Sequence, residues 1–333
     1  MNVAYASSEA YYEPTLVSIY SLLINSAEPH HVIVLSSGLS AEKVSVIKKL
    51  VVGMGSTFES CDVTQQLARW ASEFSLPLMR GSYSTYTRIF LAEILSHINS
   101  VLLIDSDTLV VGDVCELNAK FNGKILMACR DYVVANVNSM HEDMILRGSE
   151  YFNVGVVMIN LEKWRIDCIT DKLRREYVVG IPLKIADQTI INRYLSEFIG
   201  QLDLRCNYYT YFHYPFSYEF YKNLNNHTPF VSPTEFSNAR EKPIIVHFIG
   251  TWYERPWFSG GISPFNRIYY RYWNECFPGR GLIAPPSRDA RNYIYDQISI
   301  FLFRHIGISS YFKFKYKIVQ LIKKLEFLRG WLF

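Results

Sequence analysis

The chain contains the segment Val101-Leu102-Leu103-Ile104-Asp105-Ser106-Asp107-Thr108-Leu109-Val110-Val111. An apolar run typical of a buried strand leads directly into two carboxylates one residue apart, and a second apolar run follows. An unpaired carboxylate is very costly to bury, so positive charge is expected to meet Asp105 and Asp107. A divalent cation is the simplest candidate, because hard cations take oxygen ligands and bind substrate phosphates. Two solvated acids at a strand end are the alternative interpretation of this triplet.

Short apolar runs alternate with helical patterns through the first half of the chain. They predict strands over residues 2–6, 32–36, 56–59 and 101–104, and helices over 15–25, 41–51 and 86–95. This order predicts an α/β fold with a Rossmann-like, mostly parallel sheet and helices on both faces. Ligands bind beyond the carboxyl ends of such strands, so residues 7–11 and 105–107 are expected to share a crevice.

The second half is less regular. It predicts a strand over residues 152–161, helices over 162–178 and 187–195, and a strand over 244–248 that leads into a loop. The Pro- and Gly-containing segment 278–289 is predicted to be a linker. The expected organisation is therefore one domain at residues 1–277 and a separate C-terminal region at 290–333.

Several function classes are disfavoured by composition and motifs. The net charge of 333 residues is only +3, which argues against nucleic-acid binding by bulk electrostatics. No Gly-x-Gly-x-x-Gly follows the first strand and no P-loop is found, so a nucleotide site would depend on the strand-end acids and a metal. The six cysteines form no Cys-x-x-Cys pair. With no recognisable signal peptide or membrane-spanning run, we expect a cytoplasmic protein with reduced thiols.

The C-terminal region differs in charge from the rest of the chain. Residues 279–333 hold ten Lys or Arg against three acids, a net +7 that leaves 3 − 7 = −4 for the remainder. Apolar residues recur at helical spacing at Ile318, Leu321, Ile322, Leu325 and Leu328. Such a basic amphipathic helix is typical of contact with an anionic membrane surface. A helix docked on the protein's own core is the alternative.

Further motifs follow one another along the chain. They are Ser21-Leu22-Leu23, Tyr86-Thr87-Arg88, Leu103 to Val110, Tyr151-Phe152-Asn153-Val154-Gly155-Val156, Ile159-Asn160-Leu161 with Trp164-Arg165, Asp187-Gln188 with Asn192, and His247-Phe248-Ile249-Gly250. In order and spacing they resemble the family-8 retaining glycosyltransferases, which include bacterial lipooligosaccharide galactosyltransferases and glycogenin. The resemblance covers roughly residues 1–275.

The resemblance implies a fold, a reaction and a metal. The fold is GT-A, and the reaction transfers a hexose, galactose or glucose, from a UDP-sugar with retention at the anomeric carbon. The metal is Mn²⁺, with Mg²⁺ as the substitute, held by Asp105, Asp107 and His247. A histidine beside two carboxylates favours Mn²⁺ over Mg²⁺. Taken alone, His247 at a strand end would be a structural, hydrogen-bonded histidine.

The resemblance also implies contacts with the nucleotide. Ala6, Ser8 and Tyr11 lie where the family binds uracil and ribose, and Tyr11 could stack on the base. Ser8 stands where an Asp is usual, which weakens the expected base selectivity. Asp105 and Ser106 belong to the same binding segment.

Two residues of the late loop are expected to face the diphosphate. Gly250 lets the backbone approach it closely. Arg255 stands near the position of a family lysine and can clamp phosphate oxygens bidentately. A surface Arg255 paired with Glu254 is the alternative.

The donor sugar is expected to meet another group of residues. Family positions that line it match Arg88, Asn153, Asp187 and Gln188, with Asp131 near a further such position. Gln188 corresponds to the face of the sugar opposite the leaving group, where a double displacement needs a nucleophile. An amide is a poor nucleophile, so attack on the front face is favoured. Turn and helix-cap hydrogen bonding is the alternative for Asn153 and Gln188.

The resulting hypothesis is a retaining UDP-hexose transferase that acts on a glycan or glycolipid acceptor. Its product would be a cell-surface polysaccharide, lipooligosaccharide or glycoprotein, made at the inner face of the cell membrane. A nucleotidyltransferase that makes a sugar nucleotide is one alternative, although the Gly-rich signature and N-terminal lysine it usually needs are missing. An inactive nucleotide-sugar-binding scaffold is the other.

Overall fold

A computed structural model describes residues 1–76, 82–117, 120–131, 151–178, 186–210 and 231–306, together with Tyr218 and Lys317. By its internal contacts the chain divides into two units, which are treated separately. The first is Met1–Tyr208 with Phe230–His247, and the second is Tyr209–Pro229 with Phe248–Phe333. The domain and linker boundaries expected from the sequence stay a prediction.

The strands form one large and one small sheet. They are β1 (Asn2–Ser8), β2 (His31–Ser37), β3 (Thr57–Asp62), β4 (Ser100–Ile104), β5 (Thr108–Val110), β6 (Leu126–Arg130), β7 (Phe152–Asn160), β8 (Ile199–Gln201), β9 (Tyr208–Tyr209) and β10 (Ile245–His247). The large sheet has the order β3-β2-β1-β4-β7-β6-β8. Only β7 runs antiparallel to its neighbours among these pairs, so the predicted mostly parallel sheet is confirmed.

The helices of the first unit are α1 (Tyr12–Asn25), α2 (Ala41–Gly53), α3 (Thr64–Glu73), α4 (Thr87–Ile94), α5 (Leu161–Ile166), α6 (Ile169–Val178), α7 (Ala186–Leu195) and α8 (Pro233–Glu241). The second unit contains α9 (Asn266–Cys276) and α10 (Ala290–Phe301). Alternate strand residues point to opposite sheet faces. Ala4 and Ile33 join the core with α3, α4, α5 and α7. Their neighbours Val3 and Val32 are fully buried too, so both faces are covered.

The single helix predicted over residues 162–178 is wrong, because the chain forms two helices there. Cys168 between α5 and α6 has a φ of 51°, in the left-handed region that an α-helix cannot include. The last turn of α5 instead closes through Cys168 N–H, which donates to the Arg165 carbonyl at 3.0 Å. At its other end, Asn160 caps α5 by accepting the N–H of Lys163 at 2.9 Å.

The chain reverses at the acidic triplet. β5 does not extend β4 but pairs antiparallel with β10 in a smaller sheet of order β5-β10-β9. In this register His247 lies opposite Thr108. The pairing therefore brings the last residue of β10 beside the second acid, Asp107, across a long separation in sequence.

In the second unit, polar contacts hold α10 in position. Asp296 is buried and accepts hydrogen bonds from Trp252 Nε1 at 2.7 Å and Arg288 Nε at 3.2 Å. A π-helical turn, Leu302–Ile306, extends α10, and Arg304 within it donates to the Gly260 carbonyl at 3.0 Å. Residues 290–306 thus form a helix tied into its own unit, whereas the apolar stripe predicted at 318–328 lies outside the described residues.

Among the helices in the described ranges, none combines the length and the apolar character needed to cross a membrane.

A stability test follows from Arg165 on α5. Its guanidinium donates to the carbonyls of Ala92 in the last turn of α4 and of Leu95 and Ile98 after it, at 3.0–3.3 Å. Arg165→Met keeps the aliphatic stem but removes these bonds, and we expect it to lower the free energy of unfolding by about 2 kcal/mol, since bonds to charged donors are worth roughly 1.5–3 kcal/mol. Urea denaturation measures the loss. Lys163→Met removes only a partly exposed ion pair on the same helix and should cost less than about 1 kcal/mol. Equal losses in the two variants would contradict this account.

Candidate active site

Three potential metal ligands meet at the carboxyl end of β4. Asp105 follows β4, Asp107 precedes β5, and His247 ends β10. One ligand atom of each residue lies within 4.8 Å of the other two, and His247 Nε2 is 3.2 Å from Asp107 Oδ1. Two carboxylates and one imidazole at this spacing could hold a divalent ion such as Mn²⁺. The structure brings the three predicted ligands together, and the identity of the metal stays a prediction.

Arg88 on α4 connects the first acid to a second carboxylate. Its Nη2 lies 2.7 Å from Asp105 Oδ1, its Nε lies 2.8 Å from Asp187 Oδ2, and its Nη1 donates to the Val154 carbonyl at 2.7 Å. Burial by itself would lower the pKa of Arg88, but the carboxylates of Asp105 and Asp187 raise it. The guanidinium therefore stays charged and orients both acids.

The pKa of Asp105 is shifted upwards. Burial is the main cause, and the nearby Asp107 carboxylate adds to it, against the lowering effect of Arg88. A metal binds the deprotonated carboxylate, so proton and metal compete at this group. A divalent cation between the two acids would relieve their repulsion.

The loop between the acids is fastened to the end of β1. Ser106 Oγ donates to the Ala6 carbonyl at 2.9 Å and lies 2.8 Å from Thr15 Oγ1 on α1. The Thr15 hydroxyl is also 2.7 Å from Ser7 Oγ. The ends of β1 and β4 therefore adjoin, which agrees with the parallel pairing of these two strands. Thr15 has no signal in the sequence that distinguishes it from other helix-start threonines.

Asp131, Asn153 and Gln188 form a buried hydrogen-bonded group. Gln188 Nε2 donates to Asp131 Oδ2 at 2.8 Å, and Asn153 Nδ2 donates to Gln188 Oε1 at 3.1 Å and to Asp131 Oδ2 at 3.3 Å. Asp187 precedes Gln188 on α7 and accepts from Thr85 Oγ1 at 2.7 Å. The four residues predicted to be catalytic thus occupy one region, which Arg88 links to Asp105.

Sequence reasoning missed Asn207, which joins the two groups. It is fully buried, donates through Nδ2 to Asn153 Oδ1 at 2.7 Å, and its Oδ1 lies 2.9 Å from His247 Nδ1. In the sequence it is an isolated amide before Tyr208-Tyr209, without an acid or glycine beside it. Only the fold brings it behind the histidine.

The remaining predicted residues fall in both units. Ser8 ends β1, and Tyr11 closes a 3-10 turn over Glu9–Tyr11. In the second unit, Gly250 has a φ of 135°, which favours glycine. Arg255 is buried with its guanidinium 5.4 Å from the centroid of the Trp257 ring. It is therefore not the exposed arginine of the alternative interpretation.

Comparison with known proteins identifies a family. The model of the family described as Glycosyl transferase family 8 matches residues 2–260. A putative glycosyltransferase of Haemophilus influenzae is 28% identical over 224 residues, which cover 62% of this chain and 63% of that protein, so the chain spans slightly less than two thirds of its length. General stress protein A of Bacillus subtilis is 26% identical over 272 residues, which cover 76% of this chain and 88% of that protein.

A similar fold is found among solved structures. The galactosyltransferase LgtC, in complex with donor and acceptor sugar analogues, superimposes with a TM-score of 0.69 at 22% sequence identity. The superposition covers 84% of this chain and 98% of LgtC. At this identity the similarity concerns the fold, which is the GT-A fold.

Gly155 on β7 provides a test of the metal centre. A Cβ at this position would stand 2.5 Å from His247 Cε1 and 2.7 Å from Asp105 Oδ2. Gly155→Ala should force these ligands apart and weaken Mn²⁺ binding by roughly tenfold or more, as measured by calorimetric titration. Gly53→Ala, at the end of α2 with nothing within 4 Å, is the matched control and should bind Mn²⁺ like the wild type. An unchanged affinity in Gly155→Ala would rule out this ligand group as the metal centre.

Proposed function

The chain belongs to glycosyltransferase family 8, and on that basis we propose that it transfers a hexose from a UDP-sugar to a glycan or glycolipid acceptor with retention. The observation that carries this proposal is the convergence of Asp105, Asp107 and His247 from separate parts of the chain. We propose galactose or glucose as the hexose, and the similarity in fold to LgtC, a galactosyltransferase, supports the first of these. Family membership also disfavours a nucleotidyltransferase that makes sugar nucleotides.

The donor set fits a divalent ion, with Mn²⁺ preferred and Mg²⁺ as the substitute. Bound there, the ion supplies Lewis-acid stabilisation of the charge on the departing UDP. Asp105, Asp107 and His247 would hold it, and Arg88 keeps Asp105 oriented through a 2.7 Å contact. In this arrangement the metal would neutralise the charge, and the protein would orient the ligands of the metal.

The nucleotide is assigned to the strand-end loops. Ser8 and Tyr11, at and just after the end of β1, are proposed to contact the uracil and ribose. Gly250 has the open backbone conformation that a close phosphate contact needs. Arg255 is a buried cation with a fork geometry suited to phosphate oxygens. Both are proposed to bind the diphosphate.

A front-face reaction is favoured over a covalent intermediate on Gln188. Its amide oxygen already accepts hydrogen bonds from the Val154 N–H at 3.2 Å and from Asn153 Nδ2 at 3.1 Å. In this reaction the bond between C1 and the UDP oxygen breaks, and the acceptor oxygen bonds to C1 on the same face. The acceptor's proton passes to the departing phosphate oxygen. Asn153, Asp187 and Gln188 would bind sugar hydroxyls and hold the donor in the reactive position.

We further propose that the C-terminal region contacts an anionic membrane at the cytoplasmic face of the cell. On α10 the face with Asp296 and Ser299 is buried, whereas Ile294, Ile298 and Phe301 are 58%, 43% and 54% exposed. These three side chains recur at helical spacing and form an apolar stripe. The net charge of +7 over residues 279–333 complements anionic lipid. Such a surface would hold the enzyme near a lipid-linked acceptor.

The function is tested with a panel of UDP-sugars. Mn²⁺-dependent hydrolysis of UDP-galactose or UDP-glucose is expected, with NMR reporting an α-configured product. Asp107→Asn removes a charged ligand and should lower the rate by more than about 100-fold. Asp62→Asn changes an exposed carboxylate at the end of β3 and is the matched control, expected to keep full activity. Hydrolysis that is independent of metal and unchanged in Asp107→Asn would refute the proposed metal chemistry. No turnover of any sugar nucleotide would favour the scaffold.

Sedimentation with vesicles tests the membrane proposal. The triple variant Ile294→Gln, Ile298→Gln and Phe301→Gln should lose binding to vesicles that contain anionic lipid, because burying three large apolar side chains contributes several kcal/mol. Val46→Gln with Val52→Gln changes two exposed apolar side chains on α2 and should sediment like the wild type. Wild-type protein that stays in the supernatant would show that this face serves another purpose.

A further inference from the structure

Asn207 lies directly behind one of the proposed metal ligands. We propose that it is a positioning residue, which fixes the neutral tautomer of His247 that carries its proton on Nδ1 and presents the Nε2 lone pair to the metal. This inference rests on the proposed function, because it concerns a ligand of the proposed metal. It follows from hydrogen-bond directions that two backbone N–H groups determine.

The backbone determines the orientation of the Asn153 side-chain amide. The backbone N–H of Gly155 points at the side chain of Asn153, with an N···O distance of 2.9 Å. A backbone N–H can only donate, so the facing atom must be the amide oxygen, and the NH₂ group points towards Gln188 and Asp131. Gln188 is oriented in the same way, since its oxygen accepts from the Val154 N–H at 3.2 Å. The two amides agree, because Asn153 Nδ2 then donates to Gln188 Oε1 at 3.1 Å.

The orientation of Asn153 determines that of Asn207. One end of its amide is 2.7 Å from Asn153 Oδ1, which can only accept. That end is therefore the NH₂ group, and the amide oxygen is the atom 2.9 Å from His247 Nδ1. The reverse orientation would set the amide oxygens of Asn207 and Asn153 2.7 Å apart in a buried position. Neither oxygen would then have a donor at this contact, which is unfavourable. Asn207 is fully buried, so bulk water does not compete for these bonds.

The amide oxygen of Asn207 determines which ring nitrogen of His247 carries the proton. An amide oxygen only accepts, so His247 Nδ1 must donate and carry the proton. In the neutral ring Nε2 then has no proton and carries a lone pair. Nε2 lies 3.2 Å from the Asp107 carboxylate. Two acceptors that face each other at this distance are satisfied together by a cation. Asn207 thus selects the form of His247 that can bind a metal, in the manner of an outer hydrogen-bond partner.

The test uses two substitutions at one site and a readout that needs no activity. Asn207→Leu has a side chain of similar shape but removes the acceptor. Asn207→Asp retains an oxygen for Nδ1 but loses the N–H that Asn207 donates to Asn153 Oδ1, so only a partial recovery is expected of it. We expect ¹⁵N NMR of the metal-free protein at mildly alkaline pH to report the Nδ1–H tautomer in the wild type and in Asn207→Asp. Asn207→Leu should shift towards the Nε2–H form. Its Mn²⁺ affinity, titrated by EPR with the metal alone, should fall about 10- to 100-fold, with partial recovery in Asn207→Asp.

Asn192→Leu is the matched control for lost buried hydrogen bonds. Asn192 is buried and bonds to the backbone of Phe152 and Gln188, so its loss should lower stability without changing the tautomer of His247. An Nε2–H tautomer in the wild type, or an unchanged tautomer in Asn207→Leu, would overturn the inference. If Asn207→Leu does not fold, the wild type and Asn207→Asp decide it. A wild type that shows the Nδ1–H form but binds no Mn²⁺ would refute the proposed function and leave the tautomer assignment standing.

Discussion

The candidate site depends on one buried guanidinium. Arg88 contacts Asp105, Asp187 and the Val154 carbonyl, and so joins α4 to the ends of β4, β7 and α7. Without it, the Asp187 carboxylate, whose side chain is only 5% exposed, would lose its compensating charge, and an unpaired buried charge is strongly destabilising. Arg88 compensates Asp105 and Asp187, and the charge of Asp107 is left to the proposed metal. The residues proposed to bind the sugar and those proposed to bind the metal are therefore connected through the same ion pairs.

A local irregularity of the sheet supplies the directions of the polar network. Between β6 and β7 the register shifts, with Ala128 opposite Val157 but Cys129 opposite Asn153. The skipped residues of β7 include Val154 and Gly155, whose N–H groups donate to the side-chain oxygens of Gln188 and Asn153. Bulges that redirect backbone or side-chain groups are common beside active sites. Here the bulge frees two backbone N–H groups from strand pairing. They orient the side-chain amides of Gln188 and Asn153, and Asn153 in turn orients Asn207 beside His247.

The sheet was predictable because its strands are short apolar runs in regular alternation with helical patterns. The strands that were predicted agree in position to within about three residues, as at β3, expected over 56–59 and found at Thr57–Asp62. The strands β6 and β8 of the same sheet were not predicted. The acids were predictable because carboxylates at the end of a buried strand need a partner. The break at Cys168 was not, since a left-handed residue without glycine leaves no compositional mark. Asn207 was missed for a related reason, because one amide beside two tyrosines gives no periodic or charge signal.

The sequence by itself determined the order of strands and helices and the presence of a strand-end acid pair. The pattern of apolar and polar residues determines secondary structure locally, so it can be interpreted from the sequence alone. Tertiary structure decided that His247 reaches Asp107 through the pairing of β5 with β10, and that Arg88 spans Asp105 and Asp187. It also decided the proton position proposed for His247, because that follows from hydrogen-bond directions among residues distant in the chain. Those directions exist only once the backbone of β7 is in place.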